Sequence, residues 1–109
     1  MFKFEKIRIW GDAVEYGKKV YTATENFPKS EQFGIISQLK RAAVSISSNI
    51  AEGSGVSSNK NFSHFIDIAM GSTIETVSQL KFAKELNYLD QETLDKLYEE
   101  AEILIKKFG

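Results

Sequence analysis

The chain has 109 residues, of which 42% are hydrophobic and 27% charged, with seven glycines, one proline and no cysteine. That length holds a single hydrophobic core in one domain, residues 1–109, and the composition is that of an ordinary globular protein. Without cysteine there are no disulfides, thiolate metal sites or cysteine nucleophiles, and a formal charge of -1 gives no global attraction to nucleic acid or anionic membrane.

Phe2 to Ile9 mix apolar and basic residues without a period and read as an extended lead-in whose aromatics pack against the helical body. They lack the apolar run of a signal peptide. No stretch approaches the roughly 20 apolar residues of a membrane span, so a cytoplasmic location without membrane association is expected. From Trp10, the spacing of Trp10, Ala13, Val14, Gly17, Val20, Tyr21 and Thr24 predicts a first helix, with Asp12, Glu15, Lys18 and Lys19 pointing away. Glu25 to Ser30 breaks it, because Pro28 restricts Phe27 and Ser30 is placed to cap a second helix over residues 31–52.

Within that second helix, Ala42, Ala43, Ile46 and Ile50 fall on one face. Ser45, Ser48, Asn49 and Glu52 form a second stripe of small or hydrogen-bonding side chains. Gly53 is expected to end the helix in the left-handed conformation. Residues 54–60 read as a loop in which Ser58 or Asn59 can cap the third helix, over residues 60–87. Its main stripe is Phe62, Phe65, Ile66, Ala69, Met70, Thr73, Val77, Leu80 and Ala83. Ile68, Phe82 and Leu86 lie off that stripe, close to Ser72, Glu75 and Gln79. A helix apolar on more than one side has to be covered on more than one side, so those three residues are expected at an interface.

Asp90 caps the last helix, with Glu92 in the first turn where the helix dipole favours an acid. Leu94, Leu97, Tyr98, Ala101, Leu104, Ile105 and Phe108 form its inner stripe, and the charged opposite face reads as solvated. Short turns between helices predict an all-α, antiparallel up-down-up-down four-helix bundle.

His64 is the single histidine, and no glutamate stands three residues before it, so the metal pairing used by di-iron bundles is absent. No phosphate-binding loop, dinucleotide fingerprint or nucleophile elbow occurs, so neither a cofactor nor an enzymatic activity is expected. Arg41, Ser45, Asn49 and Glu52 share one edge of the second helix, and Ser72, Glu75 and Gln79 share an edge of the third. A polar contact within or between subunits is expected there, including an Arg41–Glu75 ion pair, with Gly71 and Ser72 allowing close approach of another helix. For nucleic acid, the candidate contacts are Lys18, Lys19, Lys40 and Arg41, although 14 basic against 15 acidic residues is a poor electrostatic footprint.

The run Ala42-Ala43-Val44-Ser45-Ile46-Ser47-Ser48-Asn49-Ile50-Ala51-Glu52-Gly53 resembles the hallmark segment of the four-helix-bundle proteins encoded in intervening sequences of bacterial 23S rRNA genes. Phe65-Ile66-Asp67-Ile68-Ala69-Met70-Gly71-Ser72-Thr73-Ile74-Glu75 is similar to a second segment of that family, and Trp10 and Phe27-Pro28 fit it too. Ser47 stands where the family commonly carries proline. The resemblance spans nearly the whole chain and implies a ring-shaped homopentamer. A related branch, the accessory protein of diversity-generating retroelements, binds nucleic acid and a reverse transcriptase. Two functions are compatible with the sequence: a non-enzymatic oligomeric scaffold or interaction module, and a nucleic-acid-binding accessory protein working with an RNA, DNA or reverse-transcriptase partner.

Overall fold

The structure, a computed structural model, describes residues 1–56 and 58–109. Ser57, inside the expected 54–60 loop, lies outside the described residues. Four α-helices succeed one another: α1 Arg8–Thr24, α2 Ile35–Ser54, α3 Asn59–Glu85 and α4 Gln91–Phe108. Two short 3-10 turns, Lys3–Lys6 and Lys29–Glu31, precede α1 and α2, and no strand occurs among the described residues.

Local chemistry sets both ends of α3 and the start of α4. Ser58 caps α3 by accepting from the Asn61 amide at 3.1 Å, and Asp90 caps α4 by accepting from Thr93 at 2.8 Å. Helix α3 stops where Asn87 enters the left-handed region at φ 61. There the Asn87 and Tyr88 amides bond back to Lys84 and Ala83 at 2.9 and 3.0 Å, which satisfies carbonyls the helix leaves open. The lead-in forms a 3-10 turn rather than an extended segment, and Phe4 meets Trp10 edge-on at 4.9 Å between ring centroids.

Two expectations about α2 are corrected. It starts at Ile35, four residues beyond Glu31, and Ser30 is not its cap, because the chain first makes the Lys29–Glu31 turn and then passes through Gly34. Gly53 is the penultimate residue of α2 and keeps a right-handed backbone, so it is not a left-handed stop. A Cβ there would stand 2.8 Å from the Phe65 Cβ, so the glycine is needed for contact with α3 and not for chain reversal.

Each helix touches its two neighbours around a square, with α2 and α3 the most extensively paired. Cross-contacts show antiparallel pairs, with Tyr21 near Lys40 and Gly17 near Ala43 between α1 and α2. Gln38 reaches Gln79 and Ser45 reaches Ser72 between α2 and α3. Asp12 pairs with Lys107 and Lys19 with Glu100 between α1 and α4. Leu39, Ile46, Ile50, Leu80 and Val20 are wholly buried at the centre. The inner face of α3 is rotated from its expected stripe toward Ser72 and Thr76, both buried. The hydroxyls of Thr73 and Thr76 donate to the carbonyls of Ala69 and Ser72 at 2.9 and 2.8 Å, so the small polar side chains carry no unmet hydrogen bond into the core.

Candidate interaction surface on α2 and α3

The α2–α3 seam is built from small polar residues on both helices. Ser45 Oγ lies 2.9 Å from Ser72 Oγ, and Asn49 Nδ2 donates to both the Ser45 carbonyl at 2.8 Å and the Ser45 hydroxyl at 2.9 Å. Two turns along the seam, Gln79 Nε2 donates to Gln38 Oε1 at 3.3 Å and to Glu75 Oε2 at 3.1 Å. Helices so joined approach closely, because neither partner places a bulky side chain between the backbones. Three of the residues picked from sequence, Ser45, Asn49 and Ser72, therefore meet in one polar contact within the chain.

The expected Arg41–Glu75 ion pair is not formed within the chain. The register set by Gln38–Gln79 and Ser45–Ser72 puts Arg41 level with Thr76 and on the outer edge of α2, where it is exposed. Glu75 is occupied by Gln79, and Arg41 makes no ion pair among the described residues. Glu52 is likewise exposed without an ion pair among the described residues. Gly71 meets nothing within 4 Å, so any close approach it permits comes from outside this chain's own bundle.

Beyond the seam, α2 and α3 turn a common face outward. Ile68, Phe82 and Leu86 are 38%, 62% and 41% exposed, whereas an inner residue such as Leu80 is 0% exposed. Their positions, i, i+14 and i+18, form one line on α3 that also contains Gly71 and Glu75. On α2 the matching edge carries Arg41, Ser48 and Glu52, while Val44 faces the groove between α1 and α2. Val44 is 48% exposed. Folding of the single chain leaves these apolar side chains in water.

The four candidate nucleic-acid contacts do not converge. Lys18 pairs with Glu15 at 3.3 Å, and Lys19 pairs with Glu100 across the α1–α4 seam. Lys40 Nζ sits 4.9 Å from the Tyr21 ring centroid, a cation–π contact on the α1–α2 side. Arg41 is exposed on the outer edge of α2. His64 is exposed and lies edge-on to Phe65 at 5.8 Å. Among the described residues, no group of three or more His, Asp or Glu side chains is placed to hold a metal ion, and no helix is long and apolar enough to cross a membrane.

Comparison with known proteins adds two findings. The sequence model described as 23S rRNA-intervening sequence protein matches residues 5–109. A crystal structure of a protein with unknown function from the S23 ribosomal protein family of Bacteroides thetaiotaomicron VPI-5482 superposes with a TM-score of 0.81 at 20% identity, covering 92% of this chain and 94% of that one. At that identity the likeness speaks for the fold. No curated protein matches the chain.

Proposed function

The chain belongs to the 23S rRNA-intervening sequence protein family, and we propose that it acts as a non-enzymatic oligomeric scaffold whose subunits meet through the outer face of α2 and α3. The observation that carries this reading is the line of Ile68, Phe82 and Leu86, solvent-facing on a helix whose opposite side already fills the core. Full burial of an exposed apolar side chain contributes about 1.5–3 kcal/mol, and covering these partly buried ones contributes roughly half of that each. Arg41, Glu52 and Glu75 on the same face supply charges of both signs, so Arg41 of one copy is a suitable partner for Glu75 of the next. A ring of five subunits is the form suggested by the family resemblance, and a cytoplasmic location is the one suggested by the sequence.

Light scattering at micromolar concentration tests the reading: a mass of several subunits supports it, and a strictly monomeric species overturns it. The alternative, a nucleic-acid-binding accessory protein, has less support. Three of its four candidate cations have an acidic or aromatic neighbour within the chain, and 14 basic against 15 acidic residues give no net positive surface. Binding through lysine and arginine weakens steeply with salt, so gel shifts with structured RNA and duplex DNA at about 50 mM salt are the condition most favourable to it.

A further inference from the structure

Phe33 is the most exposed large aromatic side chain among the described residues, at 91%. Its backbone is nevertheless held from several directions. The Glu31, Gln32 and Gly34 amides bond back to Pro28, Lys29 and Glu31 at 3.0, 3.1 and 3.0 Å, and the Gly34 carbonyl accepts from Gln38 at 3.1 Å. The Glu31 side chain rivets this hook to the α3–α4 turn, because its Oε2 accepts from the Tyr88 hydroxyl at 2.9 Å. Tyr88 in turn packs on buried Phe27, with ring centroids 5.6 Å apart. The other carboxylate oxygen stands 2.5 Å from where a Cβ on residue 34 would lie, so the residue after Phe33 has no room for a side chain while Glu31 is pinned.

A turn fixed this way displays a phenyl ring that buries nothing in its own subunit. Folding does not account for it, and a large exposed aromatic is a solubility liability. An aromatic anchor carried on a backbone held in a fixed conformation is what a protein contact uses, since little backbone entropy remains to be lost on binding. Its place in the fold identifies the contact. The antiparallel register through Gln38 and Gln79 sets Ile35 level with Phe82. Phe33 therefore lies within about one helical turn, along the bundle axis, of Phe82 and Leu86. The outer face of α2 and α3, whose apolar end lies at this level, holds Arg41 together with Glu52 and Glu75, none in an ion pair among the described residues, so that face is complementary in charge to itself.

We propose that Phe33 is the aromatic anchor of the contact between this chain and a second copy of it, held in place by the Tyr88–Glu31 hydrogen bond and by Gly34 as positioning groups. This inference rests on the oligomeric reading above. Truncating a central anchor raises the concentration for half-assembly by about 30-fold or more.

The test compares wild type, Phe33→Ser, Phe33→Tyr and Tyr88→Phe in a dilution series followed by light scattering, with circular dichroism and melting as checks on the fold. Phe33→Ser is expected to keep wild-type helicity and to dissociate at about 30-fold higher concentration than wild type, while Phe33→Tyr assembles normally. Tyr88→Phe, which frees Glu31, shifts assembly in the same direction by a smaller factor at unchanged helicity. A wild type that is monomeric overturns the oligomeric reading and this inference with it. An oligomeric wild type whose Phe33→Ser variant assembles equally well overturns this inference alone, as does a Phe33→Ser variant that fails to fold, because the ring would then serve the monomer.

Discussion

Lys107 Nζ donates to Asp12 Oδ2 at 2.9 Å, joining the last turn of α4 to the first turns of α1. Seven residues further along α1, Lys19 meets Glu100, which lies seven residues before Lys107 on α4. Each helix thus carries an acid followed seven residues later by a base, and antiparallel crossing sets acid against base at both points. A parallel crossing would set like against like. The side chains are 46% and 33% exposed at the first pair, so their value lies in register more than in stability. Asp12→Lys and Lys107→Asp alone should each cost about 0.2–1 kcal/mol, and the double exchange should recover most of it. Thermal melts at low and high salt check this, and the losses should shrink as salt rises.

Tyr16, on the same seam, should gain from losing its hydroxyl. It is 4% exposed, and no protein group among the described residues hydrogen-bonds its Oη. Burial, and secondarily the nearby Glu100 charge, push the phenol well above its ordinary value of 10.0. A buried unpartnered hydroxyl carries a desolvation cost, so Tyr16→Phe should leave stability unchanged or raise it by about 1 kcal/mol. The pH dependence has a definite sign. Above pH 10 the unfolded chain releases a proton that the folded chain keeps, so wild type loses stability with rising pH. The Phe variant should lose less over the same range, as melts from about pH 8 to about pH 11 would show.

Two helical glycines should respond in opposite directions. Gly53→Ala drives a methyl to 2.8 Å from the Phe65 Cβ, a backbone-proximal atom that does not swing away. A loss of about 1–3 kcal/mol is expected in denaturant titration. Gly71 faces open space. Alanine there should add about 0.5–1 kcal/mol to the stability of the separate subunit through helix propensity.

Asp90 sets the acid limit of the α4 cap. Its hydrogen bonds to Thr93, side chain first and backbone second, hold the carboxyl below its ordinary 3.8. A lowered acid stabilises the fold above the unfolded value and ceases to do so as pH falls through the folded one. Asp90→Ala should therefore melt below wild type at about pH 7, and the gap should close as pH drops below 3.8.

The four helices are legible in the sequence because each buries an apolar stripe against two neighbours, and a period of about 3.6 residues survives any detail of packing. Ser45, Asn49 and Ser72 are legible for a related reason: small polar residues inside a helix are costly unless they bond, so their density marks a seam. Arg41 and Glu75 share an edge, but a shared edge does not decide whether such a pair closes within one chain or between two, and within this chain Glu75 instead accepts from Gln79 while Arg41 stays exposed. Gly53 is ambiguous in sequence because the same residue serves a left-handed stop and a tight crossing, and the position of Phe65 distinguishes them. Phe33 gives no periodic signal at all. It sits between helices, in a turn whose shape depends on Tyr88, 57 residues beyond the Glu31 that it holds.

The α1–α4 seam joins residues 81 and 95 positions apart, whereas α2 and α3 form a local hairpin. Closing so long a loop is the entropically slow step, and the reverse step frees the most chain. The bundle should therefore open like a book along α1–α4 while the α2–α3 hairpin stays shut. Amide protons of α1 and α4 would then exchange with solvent through partial opening, and those of Ile46, Ile50 and Leu80 only through complete unfolding.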